Sequence, residues 1–257
     1  MKILVCIKQV PDMESRFKVA ESGTWYDTTD LAWRMNEYDE YAVEQAVRLC
    51  EQEKDSDLTV LSIGPDKVKE TMKKALAMGC SRGVHIVDHE AYSRQPYQKA
   101  AVIAEYARDK GFHIIFTGMQ SQDQASAQVG ILVAEMLGIP CVSTIVDFAY
   151  SDGKIEAKRE LEGGMKARVT TTTPAVISCQ LGLNTPRYPT LPNIMKAKKK
   201  ELLAVSFEEL LKVDPLQETI EMYIPEKKGG GMILEGEAGE LANRLITILQ
   251  EKTAVLK

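Results

Sequence analysis

The chain has 257 residues, 44% of them hydrophobic and 27% charged, with a formal net charge of −5. This is the composition of a globular chain with apolar material for a large core, and its acidic balance excludes a protein built mainly to hold polyanions. Five cysteines, odd in number and far apart with no Cys-x-x-Cys pair, exclude a disulfide scaffold or an iron–sulfur site and suit reduced thiols.

Residues 2–8 are rich in β-formers and read as a first strand. The apolar run 3–7 is too short for the apolar stretch of a signal peptide, and nothing approaches the roughly 18 apolar residues of a membrane helix, so a cytoplasmic chain is expected. Residues 38–53 place Tyr41, Ala42, Gln45, Ala46 and Leu49 at helical spacing, with Asn36 where a helix wants its N-cap. A second strand at 57–63 ends in Gly64-Pro65, and a helix follows over 66–78. A strand at 83–87, a helix at 98–108, a strand at 113–116 and an amphipathic helix over 124–137 continue the alternation. Short crossovers of this kind predict an open, mainly parallel Rossmann-like α/β sheet with helices on both faces.

Residues 142–149 read as a further strand, and after Tyr150 the signals turn antiparallel. Ser151-Asp152-Gly153 reads as a hairpin turn between strands at 146–150 and 154–160, and Glu162-Gly163-Gly164 as a second turn before 165–173. These strands are expected to extend the same sheet, and 175–179 reads as one more buried strand. Farther on come a short helix at 207–211, an irregular stretch at 213–225, a flexible joint at 227–231 and an amphipathic helix at 237–249. That tail has too few apolar residues for a core of its own, so 1–203 read as the α/β domain and 204–257 as an arm that wraps a partner subunit.

Neither Gly-x-Gly-x-x-Gly after the first strand nor a P-loop is present. In open α/β sheets, ligands bind beyond the carboxyl ends of the strands where the strand order reverses. That points to Cys6 through Lys8, to Ile63-Gly64-Pro65, and above all to the loop at 117–124. There Gly118 allows close backbone approach, and polar residues lead to the expected helix start at Gln124, whose free N–H groups favour a phosphate. His85 and His113 lie on or beside strands and read as structural; no nucleophile or metal-ligand spacing accompanies any histidine, and no catalytic or metal site is expected.

Residues 184–200 read Asn-Thr-Pro-Arg-Tyr-Pro-Thr-Leu-Pro-Asn-Ile-Met-Lys-Ala-Lys-Lys-Lys. Pro186, Pro189 and Pro192 stiffen this segment before anything binds it, so docking costs little entropy. Leu191, Ile194 and Met195 are wasted in water, and four lysines in five residues stand beside them. An apolar anchor next to cations suits a transient grip on an acidic partner. Nucleic acid suits it less, since Tyr188 alone offers a stacking ring beside a narrow basic run.

The segment resembles, nearly residue for residue, the signature of the small (β) subunit of electron transfer flavoproteins, and the likeness extends more weakly over residues 1–203. The resemblance implies docking through Tyr188, Leu191, Pro192, Ile194, Met195, Lys196 and Lys199, with Leu191 entering an apolar pocket on a dehydrogenase. It implies an electron carrier without substrate chemistry of its own. Electrons would come from acyl-CoA dehydrogenase-type flavoenzymes and leave to a quinone-linked oxidoreductase. It implies an FAD held mainly by a larger α subunit, with the loop at 9–17 of this chain as one wall, where Met13 stands near a position that is commonly aromatic. It further implies an AMP in the crevice. Carried over residue by residue, the AMP site comprises Cys6, then Asn36, Glu37, Tyr38 and Asp39, then Ile63. The loop adds Gly118, Met119, Gln120, Ser121, Gln122, Asp123 and Gln124, with Ala127, Gln128 and Val129.

The electron-bifurcating branch of the family holds a second FAD in place of AMP and often carries Gly-Asp-Thr-Ala-Gln-Val-Gly in this loop. The corresponding run here, Gln124 to Gly130, keeps only the Ala-Gln-Val-Gly end, and the acidic loop of AMP-type members is missing as well. AMP is the expectation and a second FAD the alternative. A stand-alone adenine-nucleotide-binding protein of the stress-response type would share the fold but leave the proline-stiffened segment without a purpose.

Overall fold

The structure, a computed structural model, describes residues 1–226 and 231–253. Two compact units result, Met1–Met222 and Tyr223–Lys257. In the first, β1 (Lys2–Cys6) is followed by a two-stranded ribbon, β2 (Gln9–Pro11) with β3 (Trp33–Met35), and then by α1 (Glu37–Gln52). Next come β4 (Asp57–Gly64), α2 (Val68–Met78), β5 (Arg82–Val87), α3 (Pro96–Ala107), β6 (Ile114–Gly118) and α4 (Val129–Leu137). The chain continues through β7 (Cys141–Ser151), β8 (Lys154–Glu160), β9 (Lys166–Thr172) and β10 (Ala175–Cys179) to α5 (Leu191–Ala197) and β11 (Leu202–Ser206), with α6 (Phe207–Leu210) completing the unit.

Among the described residues nine strands form one sheet in the order β11-β5-β4-β1-β6-β10-β7-β8-β9. It is parallel from β11 to β7 and antiparallel from β7 to β9. The mainly parallel Rossmann-like sheet is as expected, and so is its antiparallel extension. Alternation along β1 explains the layering. Ile3 and Val5 face one core with residues of α1 and α2, whereas Leu4 and Cys6 face a second core with α3 and α4. Because both faces are covered, the central strands read as continuous apolar runs.

Four expectations need correction. The first strand stops at Cys6, because Gln9 to Pro11 turn away to pair with β3. The helix expected from Gln124 starts only at Val129, since Ala125 and Ala127 take positive φ values of 49° and 53°, outside the helical region. Part of the expected proline-broken loop is helical: Leu191 and Pro192 open α5, where a proline loses no helical hydrogen bond. Finally, a division after residue 203 falls inside β11, which pairs with β5 at the sheet edge, and Phe207 beyond it is buried in the core.

The second unit carries α7 (Ala238–Lys252), close to the amphipathic helix expected at 237–249. Of the expected flexible joint, residues 227–230 lie outside the described residues. No helix among the described residues is long and apolar enough to cross a membrane.

Candidate nucleotide cleft and docking segment

The chain winds outward from β1 through β4 to β5 and then returns to β6 on the other side of β1. The strand order therefore reverses between β1 and β6, and their carboxyl ends part to leave a cleft. Cys6 and Lys8 line it at the end of β1, Ile63 on β4, Gly118 and Met119 at the end of β6, and Gln128 and Val129 where α4 begins. Gln120, Ser121, Gln124 and Ala127 line it from the connecting loop, and Asn36 and Asp39 from the start of α1. Segments far apart in sequence thus meet at one place.

Asn36 occupies the N-cap position of α1 but gives that helix no side-chain capping bond. Its Nδ2 donates to the Gln120 carbonyl at 2.8 Å and its Oδ1 accepts from the Gln122 N–H at 3.0 Å, stitching the loop to α1. Two more bonds tighten the seam. Gln120 Nε2 donates to the Tyr38 hydroxyl at 3.2 Å, and Gln122 Nε2 to Glu37 at 3.0 Å. Glu37, Tyr38 and Gln122, expected at the site, stand behind the cleft and hold its wall.

Asp39 accepts the Lys8 N–H at 2.7 Å and the Gly118 N–H at 3.1 Å. Burial pushes its carboxyl up to about 7, against the pull of those donors. Gly118 has no room for a side chain, since a Cβ would lie 2.8 Å from Tyr38 Cβ and closer still to Asp39. Burial, reinforced by Asp39, also raises the Cys6 thiol far above its ordinary value, so Cys6 is a neutral wall.

Lys8 Nζ lies 2.7 Å from both oxygens of Asp123 and 3.2 Å from Gln124 Oε1. Asp123 does not itself line the cleft; it neutralises the lysine that does. Lys99, on α3, donates to the same Gln124 oxygen at 3.0 Å. Neither Lys99 nor Tyr92, which also lines the cleft, is among the residues expected from the sequence. The available signal is a lysine at the head of the apolar run Lys99-Ala100-Ala101-Val102-Ile103, where a solvated face would not place one.

The donors present fit an anionic ligand group. Thr117 Oγ1 is buried in the cleft wall without a hydrogen-bond partner among the described residues. Gln128 gives no side-chain bond to the first turn of α4, whose N–H groups are left to attract negative charge. Both ammonium groups face the same space. A nucleotide phosphate matches this set.

The candidate docking segment lies elsewhere on the unit. Thr190 caps α5 by accepting the Asn193 N–H at 3.4 Å, and α5 packs Ala197 inward on α2. Leu191 is left 79% exposed and Tyr188 92%, with Met195 and Ile194 also exposed. Pro192, Lys196 and Lys199 are exposed too. Lys200 is different: its Nζ donates to the carbonyls of Leu76 at 2.8 Å and Cys80 at 2.6 Å, where α2 ends. At the base, Asn184 Nδ2 donates to the Tyr41 carbonyl at 3.0 Å, and Arg187 forks onto Glu44 and Glu51 of α1.

The profile of the electron transfer flavoprotein domain matches residues 24–210. The chain belongs to the electron transfer flavoprotein family. It is 35% identical over 261 aligned positions to the electron transfer flavoprotein subunit beta of Bacillus subtilis (strain 168), covering 100% of both chains. The subunit beta of Methylophilus methylotrophus is 34% identical, with 98% of each chain covered. A mitochondrial subunit beta from Oryza sativa subsp. japonica is 34% identical over 95% of this chain and 97% of its own. Likeness over the full length to β subunits places this chain among them, and the family's work is electron transfer.

Proposed function

We propose that the chain pairs with the α subunit of an electron transfer flavoprotein and carries electrons from acyl-CoA dehydrogenase-type flavoenzymes to a quinone-linked oxidoreductase. The observation that carries this reading is Leu191, 79% exposed on a short capped helix whose base is bolted to α1. A leucine held ready in water is an anchor, and burying it is worth roughly 1.5–3 kcal/mol, enough for a transient encounter and too little for a permanent one. Lys196 and Lys199 beside it raise the encounter rate with an acidic surface.

FAD, held mainly by the α subunit, supplies the redox chemistry. This chain contributes a wall from the loop that follows β2, where Met13 is half exposed. The cleft between β1 and β6 holds AMP in a structural role, with Lys99, Thr117 and the start of α4 as its phosphate-attracting groups. Residues of the second unit wrap the α subunit; exposed Ile224, Met232 and Ile233 are apolar side chains that such a partner would cover. A cytoplasmic location completes the proposal and rests on five free thiols, which persist in a reducing compartment. The Ala127-Gln128-Val129-Gly130 run in the cleft wall favours a second reading, a bifurcating arrangement with FAD there. Release and identification of the nucleotides from the purified heterodimer tests both. One FAD with one AMP supports the first, two FADs the second, and FAD without any further adenine nucleotide overturns the cleft assignment.

A further inference from the structure

Lys99 is only 7% exposed and still lines the cleft. Its Nζ meets a neutral acceptor, Gln124 Oε1, at 3.0 Å. Gln124 is fixed in that pose, because its Nε2 donates to the Tyr92 carbonyl at 3.0 Å and so turns Oε1 toward the lysines. The carboxylates nearby are engaged by other groups. Asp123 pairs with Lys8 at 2.7 Å, Asp88 with Arg94 at 3.1 Å, and Asp39 accepts the backbone N–H groups of Lys8 and Gly118. A buried ammonium with an amide for company carries an uncompensated desolvation penalty until an anion reaches it.

A second observation points the same way. Thr117, 5% exposed, lines the cleft with a hydroxyl that has no partner among the described residues. The first turn of α4 approaches it so closely that a Cβ on Gly130 would lie 2.5 Å from Thr117 Oγ1, and the N-cap of that helix gives no side-chain bond.

We propose that Lys99 is the residue by which the cleft selects a nucleoside phosphate over the unphosphorylated nucleoside, its ammonium pairing with the phosphate. The inference rests on the nucleotide reading above and deepens it. Burial, with repulsion from Lys8, brings the Lys99 ammonium down to about 7, while Asp123 and Asp88 pull it up. An arriving phosphate returns the proton, so binding takes up a proton above neutrality.

The test uses the complete heterodimer, freed of nucleotide and titrated with AMP and with adenosine at about pH 8.5, where the phosphate is already dianionic. Wild type should bind AMP at least about tenfold more tightly than adenosine, as a charge-assisted hydrogen bond to phosphate provides. Calorimetry in buffers of different ionisation enthalpy should show proton uptake with AMP and none with adenosine. Lys99→Met should bring the AMP affinity to within about threefold of that for adenosine, leave adenosine unchanged and abolish the uptake. Lys99→Arg should keep the preference without the uptake, since its guanidinium is protonated throughout. A Lys99→Met complex that prefers AMP as strongly as wild type overturns the proposal. Equal proton uptake for both ligands in wild type also overturns it, and that measurement needs no variant to fold. A wild-type complex that binds neither ligand removes the nucleotide reading itself.

Discussion

Arg187 closes on Glu44 with three donors: its backbone N–H at 3.1 Å and Nε at 2.8 Å both reach Oε2, and Nη2 reaches Oε1 at 3.2 Å. Glu44 is buried on α1, and Arg187 stands at the base of the proline-stiffened segment that carries Leu191. Burial pushes the Glu44 carboxyl up, but hydrogen bonds from Arg187 and Arg48 more than reverse this and leave it below the ordinary carboxylate range. The pair fixes where Leu191 is presented. Arg187→Met should therefore cost about 3 kcal/mol of stability, the low end for breaking a buried pair because Arg48 remains. It should also slow electron transfer from the dehydrogenase at normal flavin content. Urea unfolding and flavin-reduction kinetics measure the two effects, and an unchanged unfolding midpoint would count against the clamp.

Leu191→Ala separates docking from folding. The side chain is largely in water, so stability should stay within about 0.5 kcal/mol of wild type. Flavin reduction by the dehydrogenase should slow severely while flavin content stays normal. Wild-type kinetics in this variant would sink the docking role.

The lysines of the same segment should divide by geometry. Lys199 is exposed, and Lys199→Glu should lower the encounter rate at low salt, with the difference fading as salt is added. Lys200 holds two carbonyls at the end of α2, so Lys200→Met should cost about 1–2 kcal/mol of stability and leave the salt dependence of transfer unaltered. Stopped-flow rates over a salt series, beside thermal unfolding, check both. Identical behaviour of the two variants would refute the division.

Asp39 should give stability a readable pH slope. Its carboxyl is raised by burial from 3.8 to about 7, so the fold favours the protonated form. That contribution is fully present below the unfolded value and is lost as pH rises through about 7. Between about pH 4.5 and 6.5 it amounts to a fall of at most about 1.4 kcal/mol per pH unit, which Asp39→Asn should remove. Unfolding of both proteins across that window decides it; parallel curves would mean Asp39 does not titrate as its burial requires.

Much of the fold was legible because its signals are local. The apolar runs of β1, β4, β6 and β10 are what strands covered on both faces must look like. Asp152 and Gly153 carry the positive φ values that a tight hairpin demands, and both residue types tolerate them. The short ribbon of β2 and β3 was not legible, since three residues hold no period. Nor was the exposed edge strand β11, whose side chains do not alternate cleanly between buried and exposed. The late start of α4 was hidden for another reason. Gln124 and its neighbours could continue a helix, but Gln124 is held between Lys8, Lys99 and Tyr92.

By itself the sequence determined the parallel α/β architecture, the stiff apolar segment ending in lysines, and the three chain stretches able to meet a ligand. Each depends on φ preferences and hydrophobic periods acting over a few residues. Only the tertiary structure decided that Arg187 meets Glu44, that Lys200 serves a helix end while Lys199 faces water, and that Lys99 looks into the cleft beside the Gln124 amide. Those pairings join residues tens to more than a hundred positions apart, and the order of the strands, which no local preference encodes, brings them together.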